Sequence, residues 1–212
     1  MLKKIGKMLE KIIVLGAGVC CGFLMYRIID GTILNKKDTT TVEVGTYDED
    51  TQYDVPADMS GYRFLEENEG NGFILEKIKT ANNVIQNGTA LIYIGYENCQ
   101  WCQRAVPVLQ DVANTENMAI MYVDVGNVSE DETDDYDEMV ELLSDYLEYN
   151  DDGNKTLYTP MVVAVKDGEI KSASTGLIDS FTITDETSYF TDEQYQEQFK
   201  IYDDMAKSIL SE

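Results

Sequence analysis

The chain has 212 residues, with 16 Lys and Arg against 40 Asp and Glu, no histidine and a formal net charge of −24. Without histidine it lacks the usual general base, the usual nitrogen ligand for zinc and the usual pH switch, so any chemistry runs on Cys, Asp, Glu, Tyr or Lys. Acidity on this scale speaks against nucleic acid as a partner, because phosphate binding needs clustered Lys and Arg.

Residues 1–11 form a basic segment, with Lys3, Lys4, Lys7 and Lys11 against the single acid Glu10. Residues 12–29 follow, apolar apart from Arg27 near the far end. At about 1.5 Å per residue they span roughly 27 Å, just enough for a bilayer core. Arg27 can snorkel to the interface beside Tyr26. The pattern predicts one transmembrane helix acting as a signal-anchor, with the basic end cytoplasmic and everything after Asp30 outside the cell. A cleaved signal peptide is the competing reading, and no small-x-small cleavage site stands out after the apolar run. Val19 stands before Cys20, where a lipoprotein signal wants a small residue. Adjacent cysteines rarely bridge each other, since their Cβ vectors point apart. Cys20 and Cys21 therefore read as small apolar residues of the span, with acylation or an intermolecular bridge as alternatives. Residues 30–60, rich in Thr, Asp, Glu and Gly, read as an acidic tether, with a brief alternation at Thr41-Val42-Glu43-Val44.

The folded domain is expected over 61–212. Tyr62 to Leu65 reads as a first strand. Phe73, Ile74, Ile78, Ala81, Val84 and Ile85 recur at helical spacing, and Gly88 stops them. Ala90 to Gly95 is an apolar strand, Trp101 to Asn114 a helix with Pro107 inside it, and Ala119 to Val125 a second apolar strand. Residues 126–154 are an acidic insertion. It opens with seven acids between Glu130 and Glu138. A helix follows, with Tyr136, Met139, Val140, Leu143, Tyr146 and Leu147 on one face, and Asp151-Asp152-Gly153-Asn154 ends it. The acids lack EF-hand spacing with its distal Glu, and read as a solvated face favouring the helix N-terminus rather than a calcium site. Pro160 to Lys166 and Glu169 to Thr175 read as a hairpin about Asp167-Gly168. Thr191 with Gln194 makes a capping box for a last helix whose apolar face runs from Tyr195 to Leu210. Asn87, Asn127 and Asn154 open glycosylation triplets of a kind that arises easily by chance.

Chemistry concentrates in Tyr93-Ile94-Gly95-Tyr96-Glu97-Asn98-Cys99-Gln100-Trp101-Cys102-Gln103-Arg104. Two thiols separated by two residues stand where a strand gives way to a helix. At that spacing the sulfurs can bond to each other, and the helix N-terminus favours the first as a thiolate. A metal site would need a second pair or a histidine. A purely structural bridge would close too small a loop to constrain the unfolded chain much. A redox pair remains.

From about Gly61 to Leu210 the chain resembles the thioredoxin superfamily. The resemblance rests on an ordered set: an apolar strand running into Cys99-Gln100-Trp101-Cys102, Pro107 five residues on, the strand Ile120 to Val125, Thr159-Pro160 before an apolar strand, the hairpin Val165 to Ile170 and a closing helix. Within the superfamily the chain is most similar to membrane-anchored thioredoxin-like proteins of Gram-positive bacteria, including the bacteriocin accessory group. The resemblance implies an α/β fold: a central mixed sheet flanked by helices, here with a helical insertion and one N-terminal transmembrane helix. It implies Cys99 as the exposed nucleophile and Cys102 as the buried residue that resolves the mixed disulfide. Gln100 and Trp101 would tune the pair and shape the contact surface, with plain packing as the other role for Trp101. Pro160, if cis, would present the Thr159 backbone beside the sulfurs, where an extended substrate can pair with it.

Three positions depart from the family. Tyr93 stands where a buried acid is usual, six residues before the first cysteine. Tyr122 stands in the strand from which a lysine often pairs with that acid, and Asn98 replaces a tryptophan. Glu97 could assist proton transfer, or could be a solvated carboxylate. The expected function is a membrane-tethered, extracytoplasmic thiol–disulfide oxidoreductase that exchanges disulfides with exported proteins or peptides and uses no diffusible cofactor. A non-catalytic thioredoxin-fold module assisting peptide export is the alternative.

Overall fold

The computed structural model describes residues 54–65 and 72–211, so the basic segment, the expected membrane span and most of the expected tether lie outside the described residues. A six-stranded sheet is built from β1 (Val55–Pro56), β2 (Phe73–Leu75), β3 (Ala90–Gly95), β4 (Ile120–Asp124), β7 (Met161–Lys166) and β8 (Glu169–Thr175), in the order β1-β2-β4-β3-β7-β8. β2, β4 and β3 run parallel, whereas β1, β7 and β8 are each antiparallel to their inner neighbour. Between β4 and β7 a small separate hairpin pairs β5 (Glu148–Tyr149) with β6 (Lys155–Thr156). The helices are α1 (Ile78–Asn87), α2 (Cys102–Glu116), α3 (Thr133–Leu142) and α4 (Asp192–Leu210). This is the α/β arrangement expected, a mixed sheet flanked by helices. Among the described residues no helix is long and apolar enough to cross a membrane.

Strand β3 is apolar throughout because it is buried on both faces. Its side chains alternate between two cores. Leu91 and Tyr93 join α2, α4, Ile120, Tyr122, Val162 and Ala164 on one face. Ala90, Ile92 and Ile94 join α1, Met139 and Leu143 on the other. Parallel neighbours need crossover connections, which α1 and α2 supply.

The β7–β8 hairpin turns through Asp167 at φ 54° and Gly168 at φ 75°, the two positive values a type I′ turn requires. A Cβ on Gly168 would also lie 2.2 Å from the Gln86 carbonyl oxygen, so only glycine fits there. The capping box at α4 is present: the Thr191 side chain accepts from the Gln194 N–H, and the Gln194 side chain returns to the Thr191 N–H. Helix α2 continues through Pro107, which has no N–H to offer the Gln103 carbonyl.

Several elements differ from expectation. Tyr62 to Leu65 is not a strand; its N–H groups close on carbonyls three residues back, Tyr62 on Met59 and Leu65 on Tyr62. Phe73 and Ile74 are strand rather than helix, because pairing with Ile120 and Met121 outweighs a spacing too short to define a period. The folded part begins before Gly61. β1 pairs Val55 with Leu75, and Ala57 and Met59 are buried in the core beside α2. In the insertion α3 stops at Leu142, Tyr146 is 40% exposed, and residues 150–154 turn the β5–β6 hairpin. There the Asn150 side chain accepts from the N–H groups of Asp152 and Asn154. A local side-chain acceptor of this kind is invisible to hydrophobic periodicity.

Candidate functional site

Helix α2 opens beyond the carboxyl end of β3; Cys102 is its first residue, and Cys99 lies three residues earlier in the turn that leads into it. Cys99 faces the start of the helix. Its sulfur accepts the Cys102 N–H at 3.1 Å, where a helix usually places a side-chain oxygen. Its carbonyl accepts from the Gln103 N–H at 3.0 Å. Both cysteines are free thiols, Cys99 6% exposed and Cys102 wholly buried.

Across from Cys99 lies the segment before β7, where the Thr159–Pro160 bond is cis. The Thr159 hydroxyl donates to the Cys99 sulfur at 3.5 Å, and the Thr159 carbonyl lies 3.6 Å from the same atom. Residues sixty apart in the chain thus meet at one sulfur. The Cys102 thiol donating to Cys99, together with the Thr159 hydroxyl and the N–H groups of Cys102 and Trp101, brings the Cys99 thiol down to about 6 against the opposing effect of burial. Burial pushes the Cys102 thiol far up, and the negative charge on Cys99 pushes it further. The two shifts run in opposite directions and favour a Cys99 thiolate beside a Cys102 thiol at neutral pH. Cys99 is buried rather than exposed as expected, because the Thr159–Pro160 segment and the first turn of α2 close over it.

Trp101 is 41% exposed and meets Phe181 edge-on, with ring centroids 6.5 Å apart. It forms an apolar lip beside Cys99. A cleft is lined by Gly61, Arg63, Asn98, Gln100, Arg104 and Glu186 and does not reach either sulfur. Glu97 is exposed and packs over Gly61, in the manner of a solvated carboxylate. The structure thus brings Cys99, Cys102, Thr159 and Pro160 together, with Trp101 at the rim.

Two residues directly after the pair, Gln103 and Arg104, organise it, and neither carries an expected role. The Gln103 side-chain amide donates to the carbonyls of Gly61 and Glu97 at 3.0 and 2.6 Å, and its oxygen accepts the Arg63 N–H at 2.7 Å. Arg104 is 1% exposed. Its guanidinium donates to the carbonyls of Gln100, Ser188, Glu186 and Asp185 at 2.9, 2.9, 2.9 and 3.3 Å, and lies 4.7 Å from the centre of the Phe64 ring. It fastens the loop before α4 to the first turn of α2. A cation set directly after two thiols in so acidic a chain was the available signal.

Beneath the pair lie three tyrosines. Tyr93 and Tyr122 are partners in the β3–β4 register, stacked with centroids 5.1 Å apart. The Tyr62 hydroxyl donates to that of Tyr122 at 3.1 Å and lies 3.2 Å from that of Tyr93. Tyr93 acts on the Cys102 thiol in the direction of the thiolate, against the larger effect of burial. Burial holds all three phenols above their ordinary range. Tyr62 carried no sign of this in the sequence, because its partners are 31 and 60 residues away.

Among solved structures the chain is similar to the crystal structure of thioredoxin from Aeropyrum pernix, at 18% identity over 47% of this chain and 71% of that one, with a TM-score of 0.34. No family model and no curated protein matches it.

Proposed function

We propose that the protein is a thiol–disulfide oxidoreductase of thioredoxin-like type, exchanging disulfides with exported proteins or peptides through Cys99 and Cys102. One observation carries this: a sulfur at the N-terminus of α2 that accepts the Cys102 N–H and faces the Thr159 carbonyl and hydroxyl across the site. A C-x-x-C opening the helix of a βαβ unit is the arrangement such chemistry uses, and β3, α2 and β4 form that unit. Cys99 attacks the client disulfide as thiolate, and Cys102 resolves the mixed disulfide. Trp101 and the peptide at Thr159–Pro160 flank the client, which can lie extended against the Thr159 backbone. The membrane anchor and the extracytoplasmic setting complete the proposal and rest on residues 1–60 of the sequence, as does the kinship with membrane-anchored proteins of Gram-positive bacteria.

The test is equilibration of the full chain with glutathione buffers, followed by trapping on the Cys102→Ser variant. A Cys99–Cys102 disulfide forming at a potential above about −270 mV is expected, since a thiolate held near 6 stabilises the reduced form more than one near 7 does. The variant should hold a mixed disulfide on Cys99. No disulfide at any glutathione ratio would overturn the proposal. A non-catalytic binding module is the second reading, favoured by the low exposure of Cys99. It predicts client capture unchanged by Cys99→Ser.

A further inference from the structure

Beyond Arg27 the chain has two arginines, Arg63 and Arg104, and both line the same cleft beside the loop that carries Cys99. In a chain of net charge −24, two guanidiniums at one cleft need a physical reason. Arg104 is the buried wall, 1% exposed, and its guanidinium is met by the carbonyls of Gln100, Ser188, Glu186 and Asp185. Carbonyls satisfy its donors but do not cancel its charge, and among the described residues it pairs with no carboxylate. Arg63 is the outer wall. Its backbone N–H is fixed on the Gln103 side chain at 2.7 Å, and its own side chain is 51% exposed. The exposed residues Asn98 and Gln100 bring side-chain amides to the cleft, which carry further N–H donors.

The cleft already holds the kind of group it suits. The Glu186 carboxylate lies on the Arg63 guanidinium at 3.4 Å, with its side chain 85% exposed. An ion pair so open to water stabilises little and exchanges readily, so Glu186 keeps the place without closing it. Glu97, the other acid at the cleft, is laid over Gly61. The volume is about 170 Å³, which admits one side chain or a chain end and nothing larger. Asn98 and Gln100 flank Cys99 in the chain, so the cleft borders the nucleophile without reaching either sulfur. A client whose cysteine meets Cys99 therefore reaches the cleft with a neighbouring residue. At about 3.3 Å per extended residue, that residue lies within roughly three positions of the client cysteine.

We propose that this cleft is a client subsite for a carboxylate close to the client cysteine, held by Arg63 in the field of Arg104 in place of Glu186. This rests on the disulfide-exchange function proposed above and names the class of client that it favours. The carboxylate is an Asp or Glu side chain, or the C-terminus of a client that ends just past its cysteine. Either presents the same pair of oxygens to the Arg63 fork. So acidic a protein would otherwise repel such clients. The subsite selects among clients and leaves the chemistry at the sulfurs as it is.

The test uses the full chain and end-blocked peptides whose single cysteine is held as a disulfide with 2-thiopyridine. The Cys99 thiolate bonds to the peptide sulfur, the bond to the pyridine sulfur breaks, and the thiopyridone released is read by absorbance. One series places Glu or Gln at each of the three positions on either side of the cysteine. A second has neutral side chains and either a free or an amidated C-terminus. The readout is the ratio of second-order rate constants, acid over amide, at the position where it is largest. Wild type should show a ratio of at least about threefold that falls toward one as salt is raised. Arg63→Gln should bring the ratio close to one. Glu186→Gln should widen it by at least about twofold, because the competing carboxylate is gone, and a packing defect cannot produce such a gain. A preference in the first series assigns the side-chain carboxylate, and one in the second assigns the chain end. A wild-type ratio below about threefold in both series overturns the subsite. So does a ratio that Arg63→Gln leaves in place or that Glu186→Gln fails to widen. A wild type that releases no thiopyridone from any peptide overturns the disulfide-exchange function and the subsite with it, whereas one that reacts with acid and amide alike overturns the subsite alone.

Discussion

The Cys99 sulfur accepts the Cys102 N–H at 3.1 Å, so the nucleophile takes the first N–H of the helix that carries its partner. This bond is strongest when the sulfur is charged, because a thiolate is a better acceptor and opposes the positive end of the helix. Alkylation of the reduced chain by iodoacetamide should therefore modify Cys99 with a midpoint near pH 6, while Cys102 stays unmodified through neutral pH. The same shift bears on stability. Between about 6 and 9 the unfolded thiol holds a proton that the folded one has lost, so the reduced form gains stability as pH rises through that window and loses it as pH falls through 6. Melting curves of the reduced chain against pH check the sign.

Thr159 contributes through a single hydroxyl. Thr159→Val keeps the shape of the side chain and removes the donor to Cys99. The alkylation midpoint of Cys99 should move up by roughly one unit, as the loss of a hydrogen bond to a charged sulfur requires. A midpoint that stays in place would show that the Cys102 contacts alone hold the thiolate.

Gly95 is fixed by Tyr93. A Cβ at Gly95 would lie 2.3 Å from the Tyr93 hydroxyl oxygen and 2.6 Å from the ring carbon bearing it. Gly95→Ala must displace a ring that is fully buried and stacked on Tyr122. A loss of about 1–3 kcal/mol in urea unfolding is expected.

Arg104→Met should cost about 2–4 kcal/mol, because it removes the Arg104 donor from the carbonyls of Gln100, Glu186 and Ser188, and from that of Asp185, which keeps only the Ser188 N–H. Limited proteolysis should then cut within 185–188 first. Arg104→Lys should recover only part of the loss, since one ammonium cannot reproduce the forked geometry.

Burial, with the Asp54 carboxylate nearby, raises Glu76 from its ordinary 4.5 to about 7, and a hydrogen bond with Thr80 opposes the shift. A raised carboxyl stabilises the fold below pH 4.5, and that contribution disappears as pH rises through 7. Glu76→Gln should accordingly be more stable than wild type above pH 7 and show no advantage below pH 4.5, as melting temperatures across that range will show.

The central strands and the last helix were legible because each carries a local signature. Ala90 to Gly95 is an unbroken apolar run, Asp167-Gly168 specifies its own turn, and Thr191 with Gln194 caps α4 from within one turn of chain. The pair itself was legible from two residues and their spacing. Partners brought in from afar were not. Thr159 was placed beside Cys99 only by resemblance, and Tyr62 reads in sequence as one more aromatic until the β3–β4 register sets Tyr93 against Tyr122. The turn at 62–65 was misread as strand because a few apolar residues carry no period. The β5–β6 hairpin went unseen because a single Asn150 side chain shapes its turn.

The sheet also divides the domain's liabilities. Met139 and Leu143 of the acidic insertion belong to one core, and Cys99, Cys102 and the three tyrosines belong to the other. A change of packing under α3 meets the strands before it meets the sulfurs. Substitutions in the insertion and substitutions around the pair should therefore add without interaction. For an evolving lineage this means that the outer acidic surface can be redrawn to suit a new neighbour while the sulfur chemistry is inherited intact.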